Sequence, residues 1–194
     1  MKAKRFWVLK KAKRGKLMAK LEIITYGNPI LRHKAEEVKE ISKEILKITD
    51  GMMETLKEEG GIGLAAVQVG IPKRILVVDL TKSNEDKKIT LLNPRIIYRS
   101  IEEEESEEGC LSIPEVWGSV SRPGKVKVKG VLPGGKVILI DADGILARVL
   151  QHEIDHLEGR LFIDYFSPEE REKNKEKIEA ILELNKRKLG NICL

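Results

Sequence analysis

The chain has 194 residues, 41% hydrophobic and 35% charged, with a formal net charge of +5. That size suits one domain with its own core. No apolar run approaches the ~18 residues of a membrane-spanning helix, and two cysteines, Cys110 and Cys193, make no disulfide framework, so a cytoplasmic protein is expected.

In chain order, residues 1–20 come first, with nine Lys or Arg and no acid. Subtracting nine from +5 leaves −4 for residues 21–194. Such a tail can bind RNA, ribosomes or anionic lipid through counterion release. The plainer reading is an upstream extension or a misassigned start, with Met18 as initiator. Its longest apolar stretch, Phe6–Leu9, is too short for a secretory signal, and a Lys-rich tail without Ser or Thr does not suit a transit peptide.

Leu21–Ile24 reads as a short strand before a Gly27-Asn28-Pro29 turn. Ile41, Ile45, Ile48, Met52 and Leu56 recur at helical spacing, with Ser42 near the start and Gly60-Gly61 at the end. Arg74–Leu80 and Ile89–Leu92 read as buried strands, the second broken by Asn93-Pro94. The acidic run Glu102–Glu105 reads as a solvated strand face or loop. Lys125–Val131 alternates Lys and Val, Pro133-Gly134-Gly135 turns, and Val137–Ile140 returns as the second arm of a hairpin. A helix follows Gly144, burying Leu146, Val149, Leu150 and Leu157. Another starts at Ser167-Pro168-Glu169-Glu170, with Ile178, Ile181, Leu182 and Leu189 as its stripe and Lys186-Arg187-Lys188 near its end. The fold class is α+β: antiparallel or mixed sheets around a central helix, then a C-terminal helix. The expected organisation is a basic extension at 1–20, a folded domain at 21–166, and a helix and tail at 167–194. Abundant Glu, Lys and Ile with two glutamines, Gln68 and Gln151, suits a thermophile or an AT-rich genome.

The central helix carries His152-Glu153-Ile154-Asp155-His156. Positions i and i+4 share a helix face, so both imidazoles can reach one metal ion, with the glutamate beside an activated water. Catalytic sites of this kind use three protein ligands. His33, in a charged stretch, reads as a surface residue. Cys110, in Glu107-Glu108-Gly109-Cys110-Leu111-Ser112, is the better third ligand, because a metal deprotonates a thiol and binds the thiolate. A third segment, Gly61-Ile62-Gly63-Leu64-Ala65-Ala66-Val67-Gln68, offers glycines for close backbone approach and an amide donor for an oxyanion.

Together these three segments, in this order and ending in Gln151-His152-Glu153-Ile154-Asp155-His156-Leu157-Glu158-Gly159, closely resemble peptide deformylase over roughly residues 20–166. The resemblance implies hydrolytic removal of the formyl group from the N-terminal formyl-methionine of newly synthesised proteins, releasing formate. It implies one divalent metal held by Cys110, His152 and His156, ferrous in the cell, with zinc or nickel as substitutes. Glu153 would take a proton from water and pass it to the leaving amine. Gln68 and the Leu111 N–H would stabilise the oxyanion. Backbone at Ile62, Gly63 and Gly109 would pair with the peptide, and Ile145 and Val149 would shape the methionine pocket. The implied partners are N-formyl-methionyl nascent peptides and, transiently, the ribosome, with no membrane and no sequence-specific nucleic acid.

Trp117 departs from the arginine of many relatives, and is expected at the peptide-binding mouth or in core packing. Arg122 and Asp155 would pair behind the ligands, unless Arg122 is an ordinary surface residue. Two other readings remain: a general zinc peptidase, which would take its third ligand downstream of the helix, and a ribosome- or RNA-associated protein without enzymatic activity.

Overall fold

The computed structural model describes residues 20–83 and 87–189. The first nineteen residues, with Met18, and Cys193 lie outside them, as do the side chains of Lys188 and Leu189. Helix α1 spans Lys43–Glu59, capped by the Ser42 hydroxyl, which accepts from Ile45 N, and ended by left-handed Gly60. Strands β1 (Gly63–Ala65), β2 (Ile75–Asp79), β3 (Lys88–Arg99), β6 (Lys125–Val131) and β7 (Val137–Asp143) form one antiparallel sheet in that order. Strands β4 (Glu103–Cys110) and β5 (Ile113–Pro123) form a separate hairpin. Helix α2 (Gly144–Leu157) packs on the large sheet, and α3 (Pro168–Leu189) on β5. The α+β reading holds.

Strand β2 is buried along its whole length because it is covered on both faces. Leu76 and Val78 meet Leu146, Leu150 and Ile154 of α2. Ile75 and Val77 meet Met52 and Leu56 of α1. Each such side chain contributes about 1.5–3 kcal/mol by leaving water. A third cluster joins Ile113, Val116 and Val120 of β5 to Phe162, Phe166 and the inner stripe of α3, Ile178 and Ile181.

Two local expectations need correction, and one open reading is decided. Leu21–Ile24 forms no strand; Leu21 N donates to Thr55 Oγ1 and Ile24 N to Gln68 O, so side-chain and isolated backbone bonds replace a ladder. Asn93-Pro94 does not end β3. Asn93 takes φ 51°, the register shifts between Leu92 and Arg95, and the strand continues to Arg99. The Asn93 amide bonds Val38 N and O, which fixes this bulge against the preceding loop. The acidic run is a solvated strand face, as the first of its two readings had it: Glu103–Glu105 lie exposed on β4, whose pairing with β5 periodicity did not reveal.

Candidate active site

Helix α2 buries one side in the core and turns His152, Glu153 and His156 toward the end of β4. Cys110 Sγ and one nitrogen of each histidine lie within 4.8 Å of one another. Cys110 Sγ faces His156 Nε2 at 3.2 Å. A thiolate and two imidazoles suit a divalent transition metal. The protein also leaves room for such chemistry in its hydrogen bonding. Glu153 Oε2 and His156 Nδ1 are buried without a partner, and a buried carboxylate oxygen is costly unless a polar group meets it. Burial, first among its causes, pushes the Glu153 carboxyl up to about 7, where a group can both accept and return a proton near neutrality. Burial also holds His156 well below its ordinary value, whereas at His152 burial is outweighed by hydrogen bonds with Cys110 and Glu108, which hold it well above.

Gln68, in the 3-10 turn Ala66–Val69 that follows β1, is oriented by the last residue of that strand. Its Oε1 accepts from Ala65 N at 2.7 Å, which turns Nε2 toward Cys110 Sγ at 3.4 Å. Ser112 N also reaches the sulfur, at 3.4 Å. A cavity of about 910 Å³ opens over the site. Ile62, Gly63, Gly109, Leu111, Ile145 and Val149 line it, together with Gln68, Cys110, His152 and Glu153. Behind this lining, His156 completes the group. His33 is elsewhere, exposed, with its ring on Pro29 O. Strand β1 pairs only with β2, which leaves its other edge free of strand partners among the described residues.

Gly63 is required by space. A Cβ there would sit 2.4 Å from Glu153 Oε1 and 2.7 Å from Val149 Cγ1. Gly63→Ala is therefore expected to displace the Glu153 carboxylate and lower kcat by at least about tenfold, since a misplaced catalytic group can cost ~10²-fold. Steady-state kinetics on a formylated peptide, with metal content measured on the same protein, check this.

The sequence reading offered the Arg122–Asp155 pair but missed Glu108, the carboxylate behind His152. Glu108 Oε2 accepts from His152 Nδ1 at 2.9 Å, which fixes the ring and points Nε2 at the metal group. Glu108 also takes Arg122 Nε at 2.6 Å, Arg122 Nη2 at 3.0 Å and Arg148 Nη1 at 3.1 Å. Burial opposes ionisation of Glu108, but the hydrogen bonds from His152 and Arg122 outweigh it and hold its carboxyl at about 2. Arg122 is buried, not on the surface, and its Nη1 reaches Asp155 Oδ2 at 2.6 Å, where the Tyr165 hydroxyl also donates. No signal in the sequence gave this, because β4 carries no readable period and its ladder shifts register between Gly109 and Cys110.

Fold and site together define a metal-dependent hydrolase. The chain also matches, over residues 20–172, the family model described as polypeptide deformylase. It is 46% identical over 146 residues to a peptide deformylase of Rhizobium meliloti (strain 1021), covering 75% of this chain and 84% of that one. Among solved structures, it is similar to a peptide deformylase from Plasmodium falciparum, with TM-score 0.82, 34% identity, and 86% and 98% of the two chains covered. A second, from Thermotoga maritima, has TM-score 0.73 and 38% identity, covering 77% and 99%. The chain belongs to the polypeptide deformylase family. It is accordingly a hydrolase that removes the N-formyl group from newly synthesised peptides.

Proposed function

We propose that this chain acts in the cytoplasm on N-formyl-methionyl nascent peptides, with Cys110, His152 and His156 holding one ferrous ion that zinc or nickel can replace. The observation that carries this reading is the buried, unpartnered Glu153 Oε2 in a cavity shared with Cys110 and His152. The ion supplies polarisation of the formyl carbonyl and a water acidic enough to attack at neutral pH. Glu153 accepts the proton of the attacking water and delivers it to the departing amine nitrogen, so formate and a free N-terminus result. Gln68 Nε2 and the Leu111 N–H donate to the oxygen that gains charge at the formyl carbon. Backbone at Ile62, Gly63 and Gly109 holds the peptide as an added strand on the open edge of β1. Ile145 and Val149 receive the methionine side chain. Residues 21–166 act as the catalytic unit, 167–194 as a helix and tail, and 1–20 as an extension.

Formate release from a formyl-methionyl peptide by anaerobically purified protein, with metal measured on the same sample, tests the reading. Cys110→Ala is expected to lose both metal and activity. A Cys110→Ala protein with full metal content and activity would overturn it.

No helix among the described residues is long and apolar enough to cross a membrane. Lys186 and Arg187 are exposed on α3, close to Glu183, and a transient ribosome contact there suits a nascent-chain substrate. Deleting α3 is a poor test, because Ile178 and Ile181 cover β5. Lys186→Glu with Arg187→Glu spares that packing, and is expected to reduce cosedimentation with ribosomes.

A further inference from the structure

The cavity has two backbone walls with unequal support. One is Gly61, Ile62 and Gly63, leading into β1 of the five-stranded sheet. The other is β4, whose residues 104–110 line the cavity and which pairs, among the described residues, only with β5. The inner end of β4 is firmly tied. Glu108 takes His152 and Arg122, and the half-exposed Trp117 ring lies over Gly109, where a Cβ would meet it at 2.7–2.8 Å. The outer half, residues 103–107, has less. The side chains of Glu103 and Glu105 bond only Ser121 and Ser119 of the same hairpin. Among the described residues, one side chain from outside the hairpin hydrogen-bonds this half: Arg148 of α2.

Arg148 is well placed to hold it. It lies one helical turn before His152, so the two share a face of α2. Its Nη2 donates to Glu104 O at 2.5 Å, and its Nη1 to Val120 O at 2.8 Å and to Glu108 Oε1 at 3.1 Å. One guanidinium thus joins both strands of the hairpin to the carboxylate whose other oxygen takes His152 Nδ1. With the side chain 15% exposed, the head group is taken up by these partners and is no free cation for a ligand. A planar fork can meet several acceptors at once, which a compact ammonium cannot.

The position of this wall matters because an extended peptide in the cavity has to reach both sides. Paired strands lie about 4.8 Å apart, and an N–H···O bond is weak beyond about 3.2 Å. A wall free to drift by ~1 Å would lose its bonds to the peptide.

We propose that Arg148 is a positioning residue that fixes the outer half of β4 against α2, so that the cavity is preset to the width of one extended peptide. This rests on the deformylase reading and deepens it. Without Arg148, Glu108 keeps Arg122 as its ion partner and still takes His152. The metal group and Glu153 therefore stay in place, and Arg148 acts on the binding of the extended chain instead of on the bond that breaks.

The test compares a formyl-methionyl tripeptide, long enough to follow β4, with formyl-methionine amide, which is not. The proteins are metal-loaded wild type, Arg148→Met and Arg148→Lys. Arg148→Met is expected to raise KM for the tripeptide about five- to tenfold, roughly the worth of one backbone hydrogen bond. Its kcat, metal content and KM for the short substrate should stay near wild type. Arg148→Lys should fall between, because it can keep one carbonyl bond but not all three contacts. Backbone hydrogen exchange, read without substrate, should quicken about tenfold at residues 103–107 of Arg148→Met and stay unchanged in α1 and β2. A KM raised equally for both substrates, or unchanged exchange at residues 103–107, would overturn the proposal and leave Arg148 a general brace. A lowered melting temperature with unchanged kinetic constants would overturn it too. Failure of the wild type to hydrolyse either substrate would instead overturn the deformylase reading, while the exchange measurement still reports whether Arg148 holds β4.

Discussion

Glu153→Gln is expected to lower kcat on a formyl-methionyl peptide by about 10²–10⁴-fold, the usual contribution of a positioned acid–base group. Metal content should be unchanged, because Glu153 is not one of the three clustered donors, Cys110, His152 and His156. KM should move little, because the cavity keeps its shape with an isosteric amide. The more discriminating readout is stability. Glu153 is 3% exposed, and its Oε2 has no partner among the described residues. Replacing a buried, poorly satisfied carboxylate removes a desolvation cost, so the melting temperature should hold or rise while activity collapses. A group kept only for packing would behave the other way. A Glu153→Gln protein with wild-type turnover would end the assignment of Glu153 as the proton carrier.

Arg122→Met is expected to be the most damaging single change outside the metal ligands. Arg122 is 4% exposed and bridges Glu108 and Asp155, themselves buried. Removing one partner of a buried ion pair leaves an uncompensated charge and costs about 3–5 kcal/mol. For a chain of this size that is roughly 6–20 °C in melting temperature. The loss should also reach the metal. Glu108 orients His152 through Nδ1, and disturbing such a partner commonly costs about 10–100-fold in metal affinity. Chelator-competition measurements of metal release, beside thermal unfolding of the metal-loaded protein, check both effects. Arg122→Lys should restore only part of either, because an ammonium cannot span two carboxylates as the guanidinium fork does. Unchanged metal release with lowered stability would reduce Arg122 to a structural brace.

How much was legible in the sequence differs by element, for physical reasons. Helix α1 was readable because Ile45, Ile48, Met52 and Leu56 repeat on one face, and Ser42 and Gly60 mark its ends chemically. The β6–β7 hairpin was readable because one face is solvated, so Lys125, Lys127 and Lys129 alternate with Val126, Val128 and Gly130. Strand β4 was not. Its residues Glu103–Glu107 are exposed, so the strand carries almost no hydrophobic period. The passage of β3 through Asn93-Pro94 also escaped, because a remote loop residue, Val38, supplies the hydrogen bonds that stabilise the bulge.

The same division holds in the site. The sequence alone determined the chemistry available: two histidines and a glutamate on one helical turn, a single candidate thiol between a glycine and a leucine, and a glycine loop ending in a glutamine. Helix geometry and donor chemistry are local, so spacing suffices to read them. Only the tertiary structure decided that Glu108, Arg122 and Asp155 form one buried network behind His152, that Gly63 clears space for Glu153, and that the Trp117 ring lies on Gly109 at the mouth of the cavity. Those facts depend on which residues far apart in the chain come within a few ångströms, and on which charges lose water together. Neither is a property of any segment taken by itself.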